Sequence, residues 1–433
     1  MMTTWRKHIA VAIAVSVALR LWMVLATKDI RIFADGKLQI WGDAYFYHHS
    51  ANLVAEGVGF VNPLKYNKFG IVTQASDHPP LFIAYLAVFS LLGLKSIVAH
   101  QLATGLIGIM LVVATAQLSR LAFGERVGKV ALWLAVMSPL LWSWDKMLWS
   151  EPLAMLFAVL TVLVSIRTLH NATPLNVVLL GVVAGCATLS RAELLLCGLL
   201  SIGLVLLVRH RSITKSLVAG ACMLAVLSPW VLFNLSRFDE TVILSNGLDI
   251  VIPTDNCAST YRGPLVAYWD IACAQEAIDS AKRRFPNADE SVVNAEIRRI
   301  GVDFIRNNKR RAAEVVVLRE LRVLGIYKPL QQIRLDHFPE GKDRNFAVLS
   351  WMNYYALVPF AIAGFSMMIR RQRILALICA TPIITALAAV AISAGITRYR
   401  ASADPILLIF AAVAISSSVE FVARQWKAPV TNV

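Results

Sequence analysis

The chain has 433 residues, of which 58% are hydrophobic and 16% are charged, and its mean hydropathy is +0.63. Soluble domains usually carry about 25% charged residues, so this composition excludes an ordinary soluble globular protein. The formal net charge is +15, but the Lys and Arg residues lie in short clusters at the ends of apolar segments. That distribution is typical of cytoplasmic loops of membrane proteins, and it explains the basicity without a nucleic-acid partner.

Ten apolar segments approach the length that a membrane span requires, which is about 20 residues per helix. We predict spans at residues 9–27, 97–119, 130–143, 152–167, 174–190, 194–208, 216–236, 346–369, 374–394 and 405–422. The first segment is long and has many successors, so we interpret it as a retained helix and not as a cleaved signal peptide. The predicted fold class is an all-α polytopic membrane protein with about ten transmembrane helices.

Basic clusters determine the predicted orientation, because loops rich in Lys and Arg stay in the cytoplasm. Arg6 and Lys7 place the N-terminus there, and the clusters at residues 209–215 and 370–373 then fall on the same side. The C-terminus is also cytoplasmic in this scheme, and the predicted location is a cell membrane. Residues 81–94 are too short to span, so we predict that they lie along the outer membrane surface. Counting them as a span puts the two clusters on opposite sides.

Two long loops on the predicted outer side divide the chain into three parts. Residues 1–236 form an N-terminal transmembrane module with a first outer loop at residues 28–96. Residues 237–345 form a helical outer loop, and residues 346–433 form the C-terminal transmembrane helices and a tail. The inverted repeat that is typical of secondary transporters is not evident in the sequence.

The 237–345 loop is predicted to be folded. Asn287 with Glu290 three residues later is typical of a helix N-cap, and residues 289–307 and 310–325 carry apolar residues at helical spacing. The second of these helices is too charged to span, so we predict that it lies on the outer surface.

Two of the six cysteines, Cys257 and Cys273, lie in this large loop. If the loop faces an oxidising compartment, they are a natural disulfide pair, and two free thiols are the alternative. The other four cysteines lie in apolar segments and are interpreted as small core residues.

Asp43 and the pair Asp77-His78 are the candidate chemical groups of the first outer loop. Asp43 lies among aromatic residues, where a carboxylate can take a proton from an acceptor hydroxyl as a general base. Asp77 and His78 precede two prolines that start the interfacial helix, so we predict that His78 lies at the water–lipid boundary and contacts a lipid phosphate. The alternatives are a solvated aspartate and a surface turn.

Further charged residues lie at the predicted outer ends of spans. Glu151 begins a span, and Arg191 and Glu193 lie between two others, so we predict that all three bind substrate. A helix-capping role for Glu151 and a mutual ion pair of Arg191 with Glu193 are the alternatives. Arg398 and Arg400 run against the cytoplasmic bias of basic residues. Arginine binds phosphate through a planar fork of donors, so we predict that both contact an anionic head group, with a lipid-surface anchor as the alternative.

The sequence contains no glycine-rich phosphate loop and no zinc motif, and the adjacent His48 and His49 do not share a helix face. A nucleotide-dependent mechanism therefore lacks support, and the energy for a transfer has to come from an activated donor that the membrane carries. The acidic residues at the outer ends of the spans leave a divalent metal open.

Together these features resemble the GT-C superfamily of polyprenyl-phosphate-dependent glycosyltransferases. Within it they are similar to bacterial relatives of protein O-mannosyltransferases and aminoarabinose lipid A transferases. The motifs that carry the resemblance are Gly42-Asp43, His78-Pro79-Pro80-Leu81, Ser150-Glu151, Arg191-Ala192-Glu193 and Arg398-Tyr399-Arg400. The large loop, from Asp255-Asn256-Cys257 to Tyr268-Trp269-Asp270, looks like an actinobacterial branch of this group.

The resemblance implies roles for particular residues. In the superfamily an aspartate of the first outer loop is the base of an inverting transfer, which assigns that role to Asp43. The position before Pro-Pro holds lysine in aminoarabinose transferases and histidine in protein mannosyltransferases, so His78 is expected to contact the donor phosphate. Protein mannosyltransferases have an Asp-Glu pair where this chain has Asp43-Ala44, which weakens the case for a protein acceptor.

The predicted function is therefore an inverting glycosyltransferase that moves a sugar from a polyprenyl-phosphate donor to an acceptor hydroxyl on the outer face of the membrane. The acceptor is a cell-envelope glycan, lipid or protein. The alternatives are a lipid-linked sugar flippase or other transporter, which needs polar residues near the bilayer midplane, and a non-catalytic cell-envelope assembly factor on the same fold.

Overall fold

A computed structural model describes residues 4–27 and 42–427, with side chains as far as residue 418. Residues 28–41, which belong to the first predicted outer loop, lie outside the described part. Within that part the only strand-like pairing is one antiparallel bridge, between Val61 and Gln74, and nearly all other ordered segments are helices. The prediction of an all-α fold is confirmed.

The described part contains twenty-one α-helices, both long apolar helices and shorter ones. In chain order they are α1 (Thr4–Ala26), α2 (Gly42–Ala55), α3 (Pro63–Phe69), α4 (Leu81–Leu91), α5 (Ile97–Phe123), α6 (Glu125–Met137), α7 (Pro139–Trp142), α8 (Glu151–His170), α9 (Pro174–Ser190), α10 (Leu194–Ile202), α11 (Ile213–Leu235), α12 (Gly247–Asp255), α13 (Ala258–Arg262), α14 (Ile271–Arg284), α15 (Glu290–Asn307), α16 (Lys309–Val323), α17 (Pro329–His337), α18 (Arg344–Arg371), α19 (Arg373–Ile392), α20 (Thr397–Arg400) and α21 (Asp404–Lys427). A π-helical segment, Gly203–Arg209, continues α10, and a 3₁₀ turn, Ala401–Ala403, joins α20 to α21.

Seven segments are long and apolar enough to cross a membrane, namely α1, α5, α8, α11, α18, α19 and the stretch Thr397–Ser418. Each of them coincides with a predicted span. The other predicted spans, at residues 130–143, 174–190 and 194–208, correspond to shorter helices. The total of ten spans therefore stays a prediction.

The predicted span at residues 130–143 is divided because it contains Pro139. Pro139 occupies the first turn of α7, and Ser138 before it is extended, with ψ of 114°. A residue that precedes proline is excluded from the helical region by a steric clash with the proline ring. The chain therefore forms α6 and α7 where the apolar pattern alone predicts one helix.

Small residues allow close contacts between helices of the bundle. α5 packs against α6 and α8, α8 packs against α9, α9 packs against α11, and α18 packs against α21. Gly181 faces the backbone carbonyl of Ala219, and Gly364 faces that of Phe410, with no space for a Cβ atom at either glycine. Such residues let apolar helices approach closely, so that dispersion contacts stabilise the bundle.

The first outer loop has a packed interior of its own. α2 packs against α4, and α4 packs against α5 and α9. Tyr47 and Phe82 are 1% and 0% exposed, and their rings meet edge to face with centroids 5.0 Å apart. The aromatic residues that flank Asp43 in the sequence are therefore partly structural, and they fix α2 on the end of the bundle.

The large 237–345 loop is helical, but the start of α15 differs from the prediction. Asp289 is the N-cap, and its Oδ1 accepts a hydrogen bond from the Val292 amide at 3.0 Å. The predicted N-cap, Asn287, lies two residues earlier and is wrong. Aspartate caps a helix as well as asparagine does, and its negative charge also favours the helix N-terminus, so the later residue takes the position.

The charged helix of this loop, α16, is packed more deeply than the predicted surface position implies. Arg319 and Arg322 are 2% and 0% exposed. Arg319 donates a hydrogen bond to the Asp255 carbonyl at 2.5 Å, and Arg322 donates one to the Val266 carbonyl at 2.7 Å. Because buried backbone carbonyls require donors, these arginines bind the interior of the loop instead of facing water.

Cys257 and Cys273 lie beside each other in the same loop. Their Sγ atoms are 2.11 Å apart, and the bond joins the start of α13 to α14. The other four cysteines are free thiols in the apolar helices.

Candidate active site

A cavity of about 650 Å³ lies between the first outer loop, the ends of several apolar helices and the large loop. Of the residues singled out from the sequence, six line it, namely Asp43, Asp77, His78, Arg191, Glu193 and Arg398. Glu151 lies beneath it and contacts two of them. The structure therefore brings together residues that the chain separates by more than three hundred positions.

Arg398 connects the two central carboxylates of the cavity. Its Nη2 is 2.7 Å from Asp43 Oδ2, and its Nε is 2.9 Å from Glu151 Oε1. Arg191 contacts the same Glu151 oxygen at 2.6 Å and also pairs with Glu193. Two guanidinium groups thus meet three carboxylates in one continuous network at the floor of the cavity.

Each member of this network is placed by the end of a helix. Asp43 lies in the first turn of α2, after Gly42 with a φ of +57°, and Glu151 is the first residue of α8. The positive end of the helix dipole favours a carboxylate at both positions. Arg191 follows the last residue of α9 in an extended conformation, so its side chain turns across the end of the helix towards Glu151.

Arg398 is held by two further contacts. Its guanidinium lies over the Trp149 ring, 4.3 Å from the centroid. The preceding residue, Thr397, donates a hydrogen bond to Asp336 Oδ1 at 2.9 Å, which fastens the short α20 to the large loop. The side chain of Arg398 remains 16% exposed, so the network leaves one face of this guanidinium open to the cavity.

His78 lines the cavity next to Asp43. Its Nε2 is 3.4 Å from Asp43 Oδ1, and its ring stacks on Tyr47 with centroids 4.7 Å apart. Tyr47 in turn donates a hydrogen bond to Ser150 Oγ at 3.1 Å, next to Glu151. The imidazole and the guanidinium of Arg398 therefore flank the two oxygens of the same carboxylate.

The charges around Asp43 decide its protonation state. Burial raises the pKa of Asp43, but the positive charges of Arg398 and His78 outweigh burial and hold that pKa well below the ordinary aspartate value. Asp43 is therefore ionised at neutral pH. Burial also raises the pKa of the neighbouring Asp77, although the charge of His78 opposes this shift.

Two acidic residues at the cavity, Asp43 and Glu151, have cationic partners. The oxygens of Asp43 face His78 and Arg398, and Glu151 Oε1 is shared by two arginines. Across residues 4–27 and 42–418, no group of three or more His, Cys, Asp or Glu side chains is arranged to hold a metal. No chemical step below depends on a divalent metal.

Arg400 is the predicted site residue that the structure does not bring to the cavity. Its Nε is 2.9 Å from Asp404 Oδ1, its Nη1 donates to the Val323 carbonyl at 2.8 Å, and its guanidinium lies 3.8 Å from the Tyr354 ring centroid. All these partners belong to the helix bundle and α16. The contacts give Arg400 a structural place between helices.

Several lining residues were not singled out from the sequence. Trp269 lines the cavity, and its Nε1 donates a hydrogen bond to Glu340 Oε1 at 2.7 Å. Glu340 Oε2 lies 3.9 Å from Arg398 Nη1, and Asp255 lines the cavity while being only 2% exposed. An aromatic ring beside carboxyl groups is a surface that suits a sugar, and the Tyr268-Trp269 pair was its only trace in the sequence.

Comparisons with known proteins agree with this geometry. The family model described as dolichyl-phosphate-mannose-protein mannosyltransferase matches residues 77–233, which is less than half of the chain. The oligosaccharyltransferase AglB from Archaeoglobus fulgidus, solved with an inhibitory peptide and a dolichol-phosphate, aligns with a TM-score of 0.56 at 13% identity and covers 100% of this chain. The fold is that of the GT-C glycosyltransferases. The GT-C fold expected from the sequence motifs is thereby confirmed, whereas the family within it and the actinobacterial branch stay predictions.

The other comparisons define how far this GT-C likeness extends. The Archaeoglobus fulgidus oligosaccharyltransferase in complex with Zn and sulfate aligns with a TM-score of 0.57 at 11% identity, over 96% of this chain and 50% of its own. ArnT from Cupriavidus metallidurans aligns over 95% of this chain and 79% of its own at 14% identity, with a TM-score of 0.38 that is too low to support an argument. No curated protein matches the sequence.

The chain spans about half the length of the oligosaccharyltransferases that it resembles, 53% in the case of the complex with dolichol-phosphate. Identities this low establish the fold alone. With seven apolar helices long enough to cross a bilayer and this fold, the chain is a multi-pass membrane protein.

Proposed function

We propose that this chain is an inverting glycosyltransferase that moves a sugar from a polyprenyl-phosphate carrier to an acceptor hydroxyl on the outer face of the cell membrane. One observation supports the proposal above all others. An ionised carboxylate, Asp43, lies in one cavity beside two groups that bind phosphate, the Arg398 guanidinium at 2.7 Å and the His78 imidazole at 3.4 Å.

In this proposal the donor phosphate enters between Arg398 and His78. Its negative charge competes with Asp43 for the guanidinium, because arginine binds a phosphate oxygen with the same planar fork. The low pKa of Asp43 depends on Arg398, so the pKa rises as the phosphate draws that charge away. A carboxylate that is a weak base in the free chain becomes a stronger base when the donor is bound.

The transfer itself balances without a cofactor. Asp43 takes the proton of the acceptor hydroxyl, whose oxygen forms a bond to the anomeric carbon of the sugar. The bond between that carbon and the phosphate oxygen breaks, and its electron pair stays on the phosphate. Arg398 and His78 stabilise the charge that develops on the departing lipid phosphate, which is the main electrostatic contribution to such a reaction. Attack opposite the leaving group inverts the anomeric centre.

Glu151, Arg191 and Glu193 have supporting roles in the proposal. Glu151 is fully buried and holds Arg398 by its Nε, which leaves the outer edge of that guanidinium to the phosphate. Arg191 neutralises Glu151, so that the carboxylate does not stand alone below the cavity. Glu193 is 21% exposed and lies at the cavity wall, where it can accept a hydrogen bond from a sugar or acceptor hydroxyl.

The proposed outer location is supported by the basic loops, for which the positive-inside rule predicts a cytoplasmic position together with both termini. The donor class is supported by the structure of the AglB complex, which contains a dolichol-phosphate. We propose a cell-envelope glycan, lipid or protein as the acceptor.

Reconstitution in proteoliposomes tests the proposal. The purified chain is given dolichyl phosphate for binding, and radiolabelled dolichyl-phosphate mannose or glucose with an envelope fraction for transfer. We expect dolichyl phosphate to bind the wild-type chain, and the Arg398→Gln variant to lose most of that binding. A wild-type chain that binds none of these lipids contradicts the proposal, as does movement of the lipid across the bilayer without any sugar transfer.

A further inference from the structure

The segment Gln74–His78 carries a site residue but belongs to no helix. It runs from the bridge at Val61–Gln74 to the prolines before α4. His78 reaches Asp43 only if this backbone is held in place, since a free loop of this length has many conformations. The fixed point of the segment is a residue from a different part of the chain, Arg237.

Arg237 uses all five of its N–H groups on this region. Its Nε and one Nη2 hydrogen donate to Asn234 Oδ1, at 3.2 and 2.8 Å. Its Nη1 donates to the Phe60 carbonyl at 2.7 Å and to Gln74 Oε1 at 3.0 Å, and its Nη2 donates to the Ala75 carbonyl at 2.8 Å. A planar guanidinium has five donors, so none is left for solvent or a ligand.

Aromatic rings keep this guanidinium in position. Its central carbon lies 5.2 Å from the Trp230 ring centroid, 4.4 Å from that of Phe233 and 4.7 Å from that of Phe238. Such contacts attract a cation and shield its hydrogen bonds from water. Arg237 therefore forms a rigid joint between the end of α11 and the first outer loop.

The same joint continues to the residue before Asp77. Asn234, which Arg237 orients, donates to Ser76 Oγ at 3.2 Å, and the Asn246 amide donates to the Ser76 carbonyl at 2.9 Å. Gly247 faces the carbonyl of Asp77 with no space for a Cβ atom. The backbone just before His78 is thus enclosed between the end of α11 and the start of α12.

We propose that Arg237 is a positioning residue for sugar transfer, which acts on the reaction through His78 by fixing the backbone of residues 74–76. The inference rests on the proposed function, because His78 matters only if it contacts the donor phosphate. Lysine cannot replace Arg237, since an ammonium group has three donors and no planar fork to reach Phe60, Gln74 and Ala75 together.

A double-mutant cycle tests this. Arg237→Ala, Arg237→Lys, His78→Ala and the combined Arg237→Ala/His78→Ala variant are compared in the transfer assay with dolichyl-phosphate mannose or glucose. Arg310→Ala, which removes an exposed ion pair with Glu314 in the same large loop, is the matched control. We expect Arg237→Ala and Arg237→Lys each to lower kcat by about tenfold or more, because small misplacements of a reacting group are costly.

The decisive readout is the effect of Arg237→Ala when His78 is already absent. If Arg237 acts through His78, the Arg237→Ala change should lower kcat by less than about twofold in the His78→Ala background. A twofold change is about the scatter that is expected even for independent sites. A full additional loss in that background, or recovery of activity in Arg237→Lys, overturns the inference. Gln74→Ala, which removes one contact of the joint, is the variant to use if Arg237→Ala does not fold, and it is expected to lower kcat in the same direction. A wild-type chain that binds and transfers neither donor contradicts the proposed function instead.

Discussion

Arg398 and Arg400 are two residues apart in one short turn, yet they lie in different surroundings. Arg398 faces the cavity, contacts Asp43 and Glu151 and remains partly exposed. Arg400 faces the helix bundle, pairs with Asp404 and lies over Tyr354. Residues at positions i and i+2 of a helix point to nearly opposite sides, because each residue advances by about 100°.

The comparison shows that a motif of two arginines on one side of a membrane does not imply two phosphate contacts. On the cavity side of the turn, Arg398 is charged and accessible to a ligand. On the bundle side, Arg400 is neutralised by Asp404 and is buried. Each of the following changes tests whether the two sides have separate roles.

Asp43→Asn is expected to have the largest effect on the cavity side. The amide cannot accept the hydroxyl proton, so transfer should fall by about 10²–10⁴-fold, the usual contribution of a general base. Binding of dolichyl phosphate should stay the same or tighten, because Arg398 loses its competing carboxylate. Transfer kinetics and lipid binding measured on the same preparation decide the matter, and an active Asp43→Asn variant removes this residue from the mechanism.

Arg400→Ala tests the bundle side. It leaves the buried Asp404 without its partner, which typically costs about 3–5 kcal/mol of stability. Replacing both residues, as Arg400→Met with Asp404→Leu, should restore most of the loss. Thermal unfolding in detergent gives the stability, and lipid binding is the control. If Arg400→Ala stays stable but binds dolichyl phosphate poorly, the contrast between the two arginines is incorrect.

Arg398→Gln is the counterpart on the cavity side. The loss of one charge-stabilising group should lower kcat/KM by about 10²–10³-fold. Its effect on thermal stability should be smaller than that of Arg400→Ala, because Arg191 still neutralises Glu151. The stable Arg400→Met/Asp404→Leu variant is the matched control, and equal losses of transfer in both contradict the assignment.

Asp255→Asn is expected to have the smallest effect, and one that depends on pH. Burial raises the pKa of Asp255 to about 7, against the opposing charge of Arg319, whereas an aspartate in an unfolded chain ionises near pH 3.9. Between these values the folded chain holds a proton that the unfolded chain has released, so stability falls as the pH rises. The variant lacks this penalty, and its advantage in melting temperature over the wild type should be larger at pH 8 than at pH 5. An equal difference at both values contradicts the shift.

Much of the fold follows from the sequence because apolar length is a local property. The seven long helices coincide with predicted spans, and the positions of the two outer loops follow from the gaps between them. The sequence was a poorer guide where local signals compete. Asp289 and Asn287 are both acceptable caps, but Asp289 carries a charge that the helix N-terminus favours and also accepts a hydrogen bond from the distant Asp239 backbone N–H.

The sequence predicted which residues lie at the cavity better than it predicted their contacts. The motifs named Asp43, His78 and Arg398, and the structure places all three in one cavity. The role of Arg237 could not be predicted from motifs in the same way. It begins a polar loop and looks like an ordinary flanking cation, and its role depends on carbonyl groups that are more than 160 positions away.

The network around Glu151 also bears on how the protein is made. Arg191 follows Glu151 by 40 residues, whereas Arg398 follows it by 247. A nascent chain therefore has the first partner early and the second only after α20 has been synthesised. During that interval Arg191 is the only arginine that can pair with this carboxylate, and the charge network of the cavity is completed only when α20 is in place.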